Sequence, residues 1–144
     1  MIFSDAQLEE LTRQAINAAL AAGHLINTYR ETDVAVDNKE TGTSQASRVV
    51  TEVDHKAQTA ILAILQPLCD EYGLALLTEE SPDNGQRHQR PAFWSIDPMD
   101  GTLNFINRQP GFSVSIALVT KNGTPLLGVV YDPVQKNLYQ AVRN

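Results

Sequence analysis

The sequence is almost free of cysteine. Its one thiol, Cys69, excludes an internal disulfide and leaves no second cysteine for a zinc site, and the default compartment for such a chain is the reducing cytoplasm. Basic residues are also scarce, 11 Lys and Arg against 17 Asp and Glu, for a formal net charge of −6. With no Lys/Arg cluster to release counterions from a phosphate backbone, a nucleic-acid polymer is not expected as partner. No hydrophobic run approaches the roughly 20 residues of a membrane span. The opening residues, Met1-Ile-Phe-Ser-Asp5, lack a basic stretch followed by an apolar segment, so no signal peptide is expected. Walker A and GxGxxG patterns are missing, as are internal repeats and low-complexity tracts. What is present is 144 residues, 42% hydrophobic and 19% charged. That composition excludes intrinsic disorder. It fits one domain, which would bury about two-thirds of its unfolded surface.

Phe3–Tyr29 reads as a long amphipathic helix, with Leu8, Leu11, Ala15, Ala18, Ala22, Leu25 and Tyr29 recurring at three and four residues. Ser4 and Gln7 have capping-box spacing, and Phe3 with Leu8 forms the pair for a hydrophobic staple. The weak alternation over Asp33–Asp37 predicts a short strand, and the polar segment Asn38–Arg48 a mobile loop. A second helix is predicted from Thr51 as N-cap, burying Ala57, Ile61, Ile64, Leu65 and Leu68, with Pro67 expected to kink or end it. After Gly73 the period becomes that of strands: Leu74–Thr78, Ala92–Ile96 and the alternating Phe112–Thr120. Ser81–Pro91 is a turn-rich connector. Lys121–Thr124 signals a hairpin whose return strand is Leu126–Tyr131, and Leu138–Val142 reads as a last strand. Two helices followed by hairpin-joined strands predict an α+β layer with a mostly antiparallel sheet. The sequence stops directly after a strand, an edge of the kind natural domains usually cover, so the end is expected to be cut rather than finished.

Chemistry-bearing residues gather in three pieces: Thr51-Glu-Val-Asp54 at the expected helix start, Thr78-Glu79-Glu80-Ser81 after one strand, and Asp97-Pro-Met-Asp100-Gly-Thr102 after the next. Carboxylates at such junctions, Asp54, Glu79, Glu80, Asp97 and Asp100, suit one edge of a sheet, and oxygen ligands without His or Cys suit a hard cation, Mg²⁺ before Zn²⁺. Pro98 pushes Asp97 toward an extended conformation, so the chain is expected to leave the strand abruptly with Asp97 at its tip. Gly101 lets the backbone approach a ligand closely. A short helix from Thr102 to Phe105 would aim the N–H groups of Gly101 and Thr102 at an anion. Carboxylates for a metal beside amides for a phosphate describe a phosphate-ester site.

Each piece also has a plainer reading. Asp-Pro-x-Asp-Gly is a common turn, Glu79-Glu80 is more often a solvated pair, and Asp54 three residues after Thr51 fits a variant capping partner. Their occurrence together, in this order, each beside an apolar element, favours the site. Asp100-Gly-Thr-Leu103 shares Asp-Gly-Thr with haloacid-dehalogenase-type phosphatases, but Pro98 stands where their nucleophilic Asp is needed. Gly111–Ser115 lacks the final glycine of a nucleophile elbow. His24, His55 and His88 are scattered singly and read as surface residues, and Trp94 and Tyr131 as core.

Taken together, Val50-Thr-Glu-Val-Asp54, Leu77-Thr-Glu-Glu-Ser81, Trp94-Ser-Ile-Asp-Pro-Met-Asp-Gly-Thr-Leu-Asn-Phe105 and Gly128-Val-Val-Tyr-Asp-Pro133 resemble the inositol monophosphatase family of Mg²⁺-dependent, lithium-sensitive phosphatases. The resemblance spans essentially residues 1–144 and corresponds to the N-terminal α+β portion of the family's fold. It implies that Glu79, Asp97 and Asp100 bind metal, with the Met99 carbonyl as a further ligand and Asp97 bridging two ions. It implies that Glu79 and Thr102 activate the attacking water, that Asp54 accepts a hydrogen bond from the Thr102 hydroxyl, and that the Gly101 and Thr102 amides hold phosphate. Thr78 stands in place of a usual Gly, Leu103 in place of a common Thr and Val53 in place of a common Ala; Lys39 is a weak match to the family's loop lysine. The family's second half, with a further metal-binding Asp and most substrate-specifying residues, is not in the sequence. The activity implied is hydrolysis of a small phosphate monoester of the inositol 1-phosphate kind, by a cytoplasmic homodimer when complete. Open alternatives are a 3′(2′),5′-bisphosphate nucleotidase, fructose-1,6-bisphosphate or histidinol phosphate as substrate, and a catalytically inactive fragment or interaction module.

Overall fold

Ser4 and Gln7 exchange the two hydrogen bonds of a capping box: the Ser4 amide donates to Gln7 Oε1 (2.8 Å) and the Gln7 amide to Ser4 Oγ (3.1 Å). From there helix α1 runs over Asp5–Thr32, three residues past the predicted end. The structure, a computed structural model, describes residues 2–32 and 43–143. The expected strand at Asp33–Asp37 and the loop lysine Lys39 lie outside the described residues. The buried stripe of α1 follows the predicted spacing through Leu8, Leu11, Ala15, Ala18 and Ala22, then passes to Ile26. At 3.6 residues per turn, the position four residues after Ala22 lies closer to its direction (about 40° away) than the position three after it (about 60°), so Ile26 rather than Leu25 faces fully inward.

Helix α2 covers Thr43–Tyr72, which corrects two expectations. Thr51 is not its N-cap but an interior residue, so Asp54 is not a capping partner, and residues 43–48 are helical rather than loop. The physical reason is packing: Val50, Val53 and Ala57 extend the buried stripe toward the N-terminus, and tertiary burial outweighs the weak helix propensity of a Ser/Thr-rich stretch. Pro67 does not end the helix either. It lies on the solvent face while Leu68 and Cys69 beyond it stay buried, so only one ladder bond is sacrificed. The helix stops at Gly73, whose φ of 68° allows the Leu74 amide to reach back to the Cys69 carbonyl (3.0 Å).

Five strands follow: β1 Ala75–Thr78, β2 Ala92–Asp100, β3 Ser113–Thr120, β4 Pro125–Asp132 and β5 Asn137–Val142. They pair in chain order, β1-β2-β3-β4-β5. β1 runs parallel to β2, and the other three pairings are antiparallel. The fold is α+β with a mixed sheet. The β1–β2 connector carries a single 3₁₀ turn, Gln86–His88, and the hairpin expected at Lys121–Thr124 forms around a three-residue loop instead of a two-residue Asn-Gly turn: the Thr120 amide donates to the Thr124 carbonyl (2.8 Å) and the Gly123 amide to the Thr120 carbonyl (2.9 Å).

Both helices pack on one sheet face. Trp94 and Ile96 from β2, Val114, Ile116 and Leu118 from β3, and Val129 and Tyr131 from β4 are buried in one core with α1 and α2. Each such large apolar side chain contributes roughly 1.5–3 kcal/mol. The opposite face carries the half-buried Ser95, Ser115, Ala117 and Gly128. Among the described residues no helix is long and apolar enough to cross a membrane.

Candidate active site

Three elements meet at the end of the β1–β2 pair. Parallel pairing brings Thr78 opposite Ile96, and the Glu79 amide extends the ladder to the Ile96 carbonyl (3.2 Å). Glu79 is thereby placed beside Asp97, near enough for its carboxyl to raise the pKa of Asp97. Strand β2 does not stop at Ile96, and Asp97 is not at its tip. Between Asp97, opposite Ser115, and Asp100, opposite Ser113, β2 carries one residue more than β3. That bulge holds Pro98, which has no N–H to give a ladder. Asp97 Oδ1 accepts from the Met99 amide (3.2 Å), fixing the carboxyl over the bulge, while the Met99 side chain is buried in the core. The Asp-Pro-Met-Asp segment is therefore a strand irregularity rather than a plain turn.

Beyond Asp100 the predicted short helix is present as α3, Thr102–Ile106. Gly101 precedes it with φ 91°, and a Cβ there would lie 2.4 Å from the Gly111 carbonyl oxygen. No other residue fits that approach. The Asn104 amide side chain donates to the same carbonyl (3.0 Å), tying α3 to the start of β3. The first ladder donors of α3 are Asn104 and Phe105, both to the Gly101 carbonyl, so the amides of Thr102 and Leu103 precede the ladder. The Thr102 hydroxyl donates to the Met99 carbonyl (3.3 Å). It does not make the expected contact with Asp54 in this structure.

Asp54 arrives from the interior of α2. It is 7% exposed, and its Oδ1 is buried without a hydrogen-bond partner. Burial first, then the charges of Glu80 and Glu79, push its carboxyl up to about 7. Asp97 rises to about 7 as well, through burial, then the hydrogen bond and charge of Glu79, with Asp100 adding to the rise and the Met99 amide opposing it. The side-chain charges acting on both groups are all negative. A cavity of about 320 Å³ borders the site, lined among others by Thr78, Glu79, Ser95, Asp97 and Ser115.

Glu79 is the link between the predicted residues: its charge acts on Asp54 and on Asp97, and Asp100 acts on Asp97, with Gly101 and Thr102 next in the chain. Among the described residues, no group of three or more acidic, His or Cys side chains stands close enough together to hold a metal ion in this structure. The chemistry of the donors nonetheless suits a hard cation: Glu79, Asp97 and Asp100 offer only oxygen, and the side-chain charges acting on Asp97 are negative; the orphaned Asp54 Oδ1 leaves an acceptor free for a hydroxyl. Glu80 acts on Asp54, and Gln58, buried one turn further along α2, donates to Ser81 Oγ (3.1 Å). Neither role was read from the sequence. The available signal was a glutamine four residues after Asp54, on a stripe otherwise apolar.

The model of the inositol monophosphatase family matches residues 7–144. The chain belongs to the inositol monophosphatase family. An inositol-1-monophosphatase from Synechocystis sp. is 36% identical over 140 residues, 97% of this chain and 46% of that relative. Nus factor SuhB of Escherichia coli K12 is 39% identical over 129 residues, 90% of this chain and 46% of that protein. The crystal structure of CysQ from Bacteroides thetaiotaomicron, described as a bacterial member of the same family, superposes with a TM-score of 0.76 at 36% identity, covering 94% of this chain and 46% of that one. The chain therefore spans about half the length of the relatives it matches. Membership in the inositol monophosphatase family accounts for the mixed sheet under two helices and for the chain order of the acidic pieces.

Proposed function

We propose that the intact protein is a cytoplasmic, homodimeric Mg²⁺-dependent phosphomonoesterase acting on a small phosphorylated alcohol of the inositol 1-phosphate kind. The observation that supports this most is the meeting of Asp54, Glu79, Asp97 and Asp100, charged alike, beside the glycine turn that opens α3. Glu79, Asp97, Asp100 and the Met99 carbonyl would hold Mg²⁺, which when bound neutralises phosphate charge and makes water more acidic. Glu79 and Thr102 orient the attacking water, and the Glu79 carboxylate accepts its proton. Asp54 serves as acceptor for the Thr102 hydroxyl, which must turn toward it from the Met99 carbonyl. The amides of Gly101 and Thr102 hold the phosphoryl oxygens, so that displacement runs in line with the leaving alkoxide.

The test is phosphate release by the intact protein from inositol 1-phosphate, a 3′(2′),5′-bisphosphate nucleotide, fructose 1,6-bisphosphate and histidinol phosphate, with and without Mg²⁺ and Li⁺. Mg²⁺-dependent release from inositol 1-phosphate, suppressed by Li⁺, is expected. Preference for the nucleotide reassigns the substrate, and no release from any of the four removes the enzymatic reading. In the same assay Asp100→Asn is expected to abolish turnover, because it keeps the side-chain size but removes the charge a hard cation needs. Thr102→Ala is expected to lower kcat with little change in KM, as befits a hydroxyl that orients water; a rise in KM alone assigns it to substrate binding instead.

A further inference from the structure

Glutamine 58 stands out on α2. Val53, Ala57, Ile61 and Leu65 around it are fully buried, and Gln58 is buried with them at 6% exposure. A buried amide costs stability unless its polar atoms are matched. Gln58 matches one of them: Nε2 donates to Ser81 Oγ at 3.1 Å, across 23 residues of sequence, while Oε1 is buried without a partner. An apolar side chain of similar shape would satisfy the core better, so packing alone does not explain an amide here.

Its partner does. Ser81 closes the segment that carries Glu79 and Glu80. One end of this segment is held by the sheet, through the Glu79 amide on the Ile96 carbonyl (3.2 Å). The other end leads into the exposed connector. Both glutamates repel Asp54, one helical turn before Gln58 on the same face of α2. A short segment with two like charges facing a third swings outward unless its far end is tied.

We infer that Gln58 is a positioning residue: through Ser81 it ties the Glu79–Glu80 segment to α2, and so holds Glu79 beside Asp97, where the two would receive Mg²⁺. The inference rests on the proposed reading of the site as a Mg²⁺ phosphatase centre, but the tether itself is testable without metal. Gln58→Met preserves length and apolar bulk and deletes the donor. Ser81→Ala, on the surface, deletes the acceptor without disturbing the core, and Ser81→Thr keeps the hydroxyl.

The experiment uses the intact protein in two states. In metal-free protein, hydrogen exchange of the Glu79 amide, held on the Ile96 carbonyl, is expected to quicken at least fivefold in Gln58→Met and in Ser81→Ala, and to stay near wild type in Ser81→Thr. With MgCl₂ alone as probe, calorimetry is expected to show Mg²⁺ binding weakened about fivefold or more in both deletion variants, restored in Ser81→Thr. The double variant is expected to be no worse than either single, as two ends of one hydrogen bond require. Unchanged exchange in Ser81→Ala overturns the tether whether or not the protein hydrolyses phosphate esters. Faster exchange with unchanged Mg²⁺ affinity overturns the positioning role while leaving the phosphatase reading intact. Failure of the wild-type protein to bind Mg²⁺ at all overturns that reading, and the positioning role with it.

Discussion

Asp54 and Asp97 hold their protons past the usual carboxylate range for the same reason: they are partly withdrawn from water and surrounded by like charge. A carboxyl whose pKa is higher in the folded than in the unfolded chain binds its proton more tightly when folded. Its contribution favours folding below about pH 4 and is lost as the pH rises toward 7. The metal-free protein is therefore expected to melt at a lower temperature at pH 8 than at pH 5. Asp54→Asn, which cannot ionise, is expected to flatten part of that slope and to raise the melting temperature at pH 8 by roughly 3 °C or more. Mg²⁺ at pH 8 is expected to recover stability in the wild type, because an ion held only by the assembled carboxylates would favour the folded state; no rise in melting temperature would count against a Mg²⁺ site. Melting curves with an identical pH slope in wild type and Asp54→Asn would show that this carboxyl is not the strained one. Asp54 was readable in the sequence as a candidate. Its burial was not, because the expected helix start at Thr51 placed it on an exposed first turn instead of in a helix interior.

At the level of elements, the boundaries that local rules placed wrongly are those where packing overrides them. Pro67 interrupts one backbone bond of α2, yet the buried stripe on either side carries the helix to Tyr72. Pro98 ends nothing, because the bulge absorbs its missing donor. The α1–β4 contact has a comparable local determinant in Gly23. A Cβ at that position would lie 2.4 Å from the Tyr131 ring, and Tyr131 is itself buried. Alanine improves helix propensity by up to about 1 kcal/mol, but overpacking a buried ring costs about 1–3 kcal/mol. Gly23→Ala is thus expected to destabilise the protein by about 1 kcal/mol net in urea denaturation. A stabilising result would mean that the ring moves aside freely. By contrast the capping box, the change of period after Gly73 and the presence of a turn at Lys121–Thr124 were legible, since each depends on residues within a few positions of one another.

Across the whole molecule the two sheet faces differ. One is closed by α1 and α2; on the other side and along β4–β5, Val130, Tyr139 and Val142 are exposed. Among the described residues β5 is also an edge strand, pairing only with β4. Apolar residues beside an open strand edge favour pairing between chains. The 144-residue chain on its own is expected to self-associate as its concentration rises in sedimentation velocity, and Tyr139→Lys is expected to reduce this. A monomer at every concentration would contradict it. The fold class was visible at this scale because helix and strand periodicities do not overlap. The parallel pairing of β1 with β2 was not, since nothing local distinguishes a strand that returns in the same direction through a connector from one that turns back.

The order of the chemistry is written in the chain: Asp54, then Glu79 and Glu80, then Asp97, Asp100, Gly101 and Thr102, each next to an apolar run of known period. These residues carry the family resemblance because residue type, spacing and turn chemistry are local quantities. Their meeting is not local. It depends on β1 pairing in parallel with β2, on a bulge at Pro98 and on a helix extended back through Thr51. Only the packed molecule, by burying Asp54 and Gln58 against the acidic turn and withdrawing water from between like charges, turns separate carboxylates into a single electrostatic site.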